Sequence, residues 1–84
     1  MQKYNLSQHA QDVIKERHIL EGWIERVLDQ PELSEQDEAD SSLEHRLGRI
    51  SEYGNRVLRV VYNREAKPLR VVTAYFDRKM RDKL

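Results

Sequence analysis

The 84-residue chain contains no cysteine. That excludes disulfides and thiolate metal sites, and it suits a reducing compartment. Glycine is sparse, and Gly22, Gly48 and Gly54 are scattered. Neither a phosphate-binding loop nor a dinucleotide fingerprint can be assembled from them. No apolar run approaches membrane-spanning length. The stretch Met1-Gln2-Lys3-Tyr4-Asn5 lacks the apolar segment of a signal peptide. The three histidines, His9, His18 and His45, have no metal-ligand spacing, and no nucleophile elbow is present. Apolar material is also short, with 38% hydrophobic residues against 36% charged. The expectation is one soluble, cytoplasmic domain over residues 1–84, with no cofactor. It sits near the size where a single core only just suffices. A dimer or a bound partner would ease the shortage, and a monomer or a homodimer remains open.

The net charge is zero, but the charges are segregated. Residues 1–28 carry four basic and four acidic groups. Residues 29–44 carry seven acidic groups and no basic one. Residues 45–84 carry eleven Lys/Arg against four Asp/Glu, a net of +7. The basic half could meet phosphate or an acidic partner. The acidic run could equally be its counterweight within the chain.

Ser7 is a good helix N-cap. Ala10, Val13, Ile14 and Arg17 then follow the spacing of an amphipathic helix over 8–17. His18-Ile19 forms a joint. Leu20, Trp23, Ile24, Val27 and Leu28 make a second stripe, giving a helix over about 20–29 that Pro31 ends. Residues 32–42 read as an acidic loop with at most a short edge strand around Leu33–Asp37. Three β-like runs follow: Leu43–Tyr53, Arg56–Asn63 and Leu69–Phe76. Gly54-Asn55 and Arg64–Pro68 supply the turns. The last two runs carry apolar residues on both faces, as interior strands do. Asp77 could cap a short C-terminal helix, Arg78–Leu84. The expected fold is α+β: two N-terminal helices packed on a small antiparallel sheet of three to four strands.

The constellation that could carry chemistry is basic and aromatic. Arg46, Arg49, Arg56, Arg59, Arg64 and Arg70 lie on or beside the strands, with Tyr53, Tyr62, Tyr75 and Phe76 interleaved. Arginine forks suit phosphate, and aromatic rings on a sheet can stack unpaired bases. Against this, strand aromatics are usually core or cross-strand partners, and edge cations are usually solvated guards against aggregation. Arg59 is the most telling residue. It interrupts the most apolar strand on the same face as Val57 and Val61, so its charge must be paired or must line a functional surface. Glu52 is a candidate partner. As a histidine, the residue type suited to proton transfer at neutral pH, His45 is a candidate acid or base, although an exposed histidine at a strand start is the plainer explanation.

Two segments resemble a family of small bacterial domains of unknown function. Leu6–Glu32 carries its opening pattern as His9-Ala10, Glu16-Arg17-His18-Ile19, Val27-Leu28 and Pro31-Glu32. Arg56–Lys79 matches its close, a Leu-x-Val-Val strand, a turn and a Val-Val-Thr-x-Tyr/Phe strand. The family's usual glycine before the isoleucine is His18 here, and its second helix is capped by Leu20. The resemblance extends to the RelE/ParE toxin superfamily, and the closing segment is similar to the BrnT toxins. It implies a RelE/ParE-like fold. It also implies a metal-independent endoribonuclease toxin, which cleaves RNA by attack of the ribose 2′-hydroxyl and is restrained by a cognate antitoxin with an acidic segment.

Under that reading His45, Arg59 and Tyr75 are the catalytic candidates, with His45 or Tyr75 as acid or base and Arg59 and Arg49 on the phosphate. Arg46, Arg49, Arg56, Arg70, Arg78 and Lys79 are the candidate RNA contacts, and no metal is involved. The alternative is a non-catalytic module of the same fold that binds protein or nucleic acid.

Overall fold

A computed structural model describes residues 3–84; Met1 and Gln2, which open the polar N-terminal stretch, lie outside the described residues. The chain runs β1 (Tyr4–Leu6), α1 (Gln8–Glu16), α2 (Glu21–Asp29), β2 (Leu33–Gln36), β3 (Leu43–Ile50), β4 (Arg56–Asn63) and β5 (Leu69–Phe76). The strands form one sheet in the order β1-β5-β4-β3-β2. β1 pairs with β5 in parallel and the other pairings are antiparallel.

This corrects the expected fold. The sheet has five strands and is mixed, where three to four antiparallel strands in a RelE/ParE-like arrangement were expected. Tyr4–Leu6 is too short to show a period. It becomes a strand by laying itself beside β5, with Tyr4 opposite Leu69 and Leu6 opposite Val71. The short edge strand expected around Leu33–Asp37 is present as Leu33–Gln36, poor in apolar residues and fixed by pairing with β3, Leu33 opposite Leu47 and Glu35 opposite His45. The expected C-terminal helix is instead a three-residue 3-10 turn, Arg78–Met80. Asp77 does cap it, accepting from the Lys79 amide at 3.0 Å. The segment beyond has no apolar stripe to bury, and a short helix without packing is unstable.

α1 starts as its sequence dictates, with the Ser7 hydroxyl accepting from the Ala10 amide at 3.0 Å. It ends in a Schellman motif. The Ile19 amide donates to the Ile14 carbonyl at 2.8 Å, and the His18 amide to the Lys15 carbonyl at 3.4 Å. That closure puts His18 in the left-handed region at φ 57°, where a Cβ is unfavourable and glycine is the usual occupant. α2 has no side-chain cap, because Leu20 stands at its N-cap and is exposed.

Both helices cover one face of the sheet. Ala10, Ile19, Trp23, Ile24, Val27 and Leu28 pack with Ile50, Leu58, Val60, Tyr62, Val71 and Ala74. α2 crosses β3 at Gly48, where a Cβ would stand 3.3 Å from Val27 Cγ2. Trp23, Tyr53 and Phe76 stack at one end of this core. Leu47, Val57 and Val61 are also buried but lie outside that cluster, on the helix-free face. Arg26 on α2 clasps Glu52 through two 2.7 Å bonds, so Glu52 is not the partner of Arg59.

Replacing His18 with glycine relieves the left-handed strain. It should stabilise the chain by about 1 kcal/mol in urea unfolding, the order of the penalty for a side chain in that conformation. The hydrogen bond from Arg26 pulls the Glu52 pKa from 4.5 down to about 2. A depressed carboxylate stabilises the fold above its unfolded pKa and loses that contribution as pH falls through the folded one. Between pH 4.5 and 2 the native chain should therefore lose an increment of stability that Glu52→Gln lacks. Comparing urea midpoints of the two across that window tests it.

Candidate functional site

The alternation of β4 decides what the helix-free face carries. Leu58, Val60 and Tyr62 turn to the helices, so Arg59 and Val61 turn away. Cross-strand pairing brings Tyr75 on β5 opposite Arg59, and His45 on β3 opposite Val61. His45, Arg59 and Tyr75 therefore share one face.

Arg59 is 9% exposed, and its guanidinium is almost fully engaged. Nε and Nη2 donate to Asp77 Oδ2 at 2.9 and 2.8 Å. Nη1 donates to Glu35 Oε2 at 3.4 Å and to His45 Nδ1 at 2.8 Å. Burial works to lower the Arg59 pKa, but the Asp77 hydrogen bond and charge, the neighbouring Tyr75 and the Glu35 contact outweigh it and hold it above its ordinary value.

A guanidinium has no acceptor, so His45 Nδ1 must accept and the ring proton sits on Nε2. Nε2 then donates to Asp37 Oδ1 at 2.7 Å. Asp37 is held below the usual carboxylate range, first by His45 and then by the Asp40 and Ala39 amides. The result is a continuous polar chain, Asp37–His45–Arg59–Asp77, lying across four segments of the molecule. Beside it Glu35, Asp37, His45 and Arg59 line an open cavity of about 490 Å³.

The other expected RNA contacts do not gather here. Arg46 faces the helices. It donates to the Leu28 carbonyl and lies over the Tyr62 ring at 4.8 Å. Tyr62 is buried, and burial together with its bond to Glu44 pushes its pKa up to about 12. It cannot stack a base. Tyr53 and Phe76 are committed to Trp23, which leaves Tyr75 as the ring on the open face. Arg49 donates to the Leu84 carbonyl at 2.8 Å and sits 4.0 Å from Glu32. Arg70 lies at the far end of β5, opposite Asn63 and Asn5. Arg56, Arg78 and Lys79 lie where β4 begins and just beyond the end of β5. Among the described residues no group of three His, Asp or Glu side chains is placed to hold a metal ion, and no helix is long and apolar enough to cross a membrane.

The sequence reading missed Glu35, Asp37 and Asp77 as partners of the central pair. A signal was there: Glu35 and Asp37 are two apart, which places both on one face of an extended strand.

A family model for a domain of unknown function, DUF4258, matches residues 6–76, most of the chain. The chain belongs to the DUF4258 family. No curated protein and no solved structure matches it. The match takes in the DUF4258 chain's own His45, Arg59 and Tyr75.

Removing Arg59 from this DUF4258 domain would strand Asp77, whose side chain is only 14% exposed. Arg59→Ala should cost about 3 kcal/mol in urea unfolding, as expected for breaking a buried pair. Arg59→Lys should cost less, because it keeps the charge but loses the bidentate fork.

Proposed function

We propose that this chain is the toxin of a toxin–antitoxin pair, acting as a metal-independent endoribonuclease on the helix-free sheet face. The observation that carries the reading is the placement of His45, Arg59 and Tyr75 together on that face. There the Nδ1 lone pair of His45 points at the guanidinium. The resemblance of the closing segment to the BrnT toxins, read from its residues, points the same way.

In the reaction, the 2′-oxygen of a ribose forms a bond to the adjacent phosphorus and the P–O5′ bond breaks. The products are a 2′,3′-cyclic phosphate and a 5′-hydroxyl. Arg59 Nη1 stabilises the charge that builds on the phosphoryl oxygens. Drawn to phosphate, it releases His45 Nδ1, which takes the 2′-hydroxyl proton. Asp37 holds the ring in that tautomer and stabilises the cation that forms. The Tyr75 hydroxyl protonates the leaving 5′-oxygen. In the resting chain Glu35 occupies part of the place a phosphate takes. An antitoxin segment rich in carboxylates would restrain the face in the same manner.

One observation favours the second reading, a non-catalytic binding module. Both His45 ring nitrogens and the Arg59 fork are already satisfied from within the chain.

The test is growth after controlled induction of the chain alone in a bacterial host. The expected result is rapid arrest, relieved by Tyr75→Phe or His45→Gln with circular dichroism unchanged, and relieved by co-expression of the neighbouring gene. Normal growth with soluble, folded protein would overturn the toxin reading in favour of the binding module.

A further inference from the structure

A second cavity, of about 350 Å³, opens where β4 begins and β5 ends. It is lined by Arg56, Val57, Phe76, Asp77, Arg78 and Arg81. Its size lies at the small end of ligand sites, and its charge is unusual for this molecule. Five other arginines stand beside carboxylates: Arg26 beside Glu52, Arg46 and Arg64 beside Glu44, Arg49 beside Glu32, and Arg59 beside Asp77. Among the described residues, no carboxylate pairs with Arg56, Arg78 or Arg81. The one carboxylate in the lining is already committed. Asp77 Oδ2 accepts from Arg59, and Oδ1 accepts from the Lys79 amide.

Three arginines line one cavity with no carboxylate to neutralise them and repel one another, and Arg56 also lies over the Tyr53 ring at 4.9 Å. The arrangement is tolerable when an anion completes it. Val57, 1% exposed, and Phe76 form the apolar part of the lining, while Arg56, Arg78 and Arg81 are themselves exposed. The arginines come from two segments, Arg56 from the start of β4 and Arg78 and Arg81 from the C-terminal turn and just after it. A tetrahedral oxyanion can offer each a separate edge.

We propose that this cavity is a phosphate-binding site. Resting on the ribonuclease reading, we assign it to a backbone phosphate of the RNA strand flanking the cut. Asp77 joins the two places physically, since it lines the cavity and anchors Arg59.

The test is NMR titration of the full chain, following backbone amides and arginine side-chain signals. The ligands are inorganic phosphate and a short oligouridylate, with sodium chloride of equal ionic strength as the control. Both should shift the signals of residues 77–81. The double variant Arg78→Ala/Arg81→Ala should bind the oligouridylate about tenfold more weakly, and the salt dependence of binding should fall by about one in log–log slope. The surface variant Arg64→Ala should change neither. If phosphate shifts the cavity and the oligouridylate does not, the site stands as one for free phosphate and the RNA reading fails. No shift with either ligand, or equal affinity in the double variant, overturns the site itself.

Discussion

A guanidinium in the middle of the central strand must be met by acceptors, and the chain brings them from three places, two of which otherwise have little reason to order. Asp77 comes from beyond the last strand, Glu35 from the edge strand, and His45 comes from β3 with Asp37 behind it. The C-terminal turn and β2 are both poor in apolar residues, so burial alone would hold them weakly. Their anchor is polar. The same network fixes register. Slipping β3 by one residue against β4 would turn His45 toward the helices and leave Arg59 without it.

What could be read in advance follows from which forces act locally. α1 was legible because Ser7, the apolar spacing and the end near Arg17 are all short-range signals. β4 and β5 were legible from their apolar content, and the alternation about Arg59 correctly set its face. β1 was not, and β2 was legible only as a short edge strand around Leu33–Asp37, because each is fixed by pairing with a strand far along the chain. Tyr4–Leu6 needs Leu69–Val71, and Leu33–Gln36 needs Glu44–Leu47. The candidate site divides in the same way. That Arg59 needed a partner was readable, but naming Asp77 over Glu52 required knowing that α2 brings Arg26 to Glu52. Tyr62 and Arg46 looked like surface chemistry and proved to be packing, because the helices cover their side of the sheet.

The acidic run and the basic half are partners within the fold. Glu32, Glu35, Asp37 and Glu44 each stand beside an arginine or histidine of the sheet. Neutralisation is local to the β2–β3 side, while the cations around the C-terminal turn stay uncompensated. A neutral isoelectric point thus comes from a molecule that is locally quenched at one end and not at the other.

That asymmetry gives the open face a direction. A polyanion nearing the sheet from β2 meets Glu35, Gln36, Asp37 and Glu38 along the cavity rim and is turned away. From the C-terminal end it meets Arg56, Arg78 and Arg81 and is drawn in. Under the proposed ribonuclease reading, the edge strand would be a fence and the C-terminal turn a gateway, and a chain-like ligand would reach Arg59 from one side only.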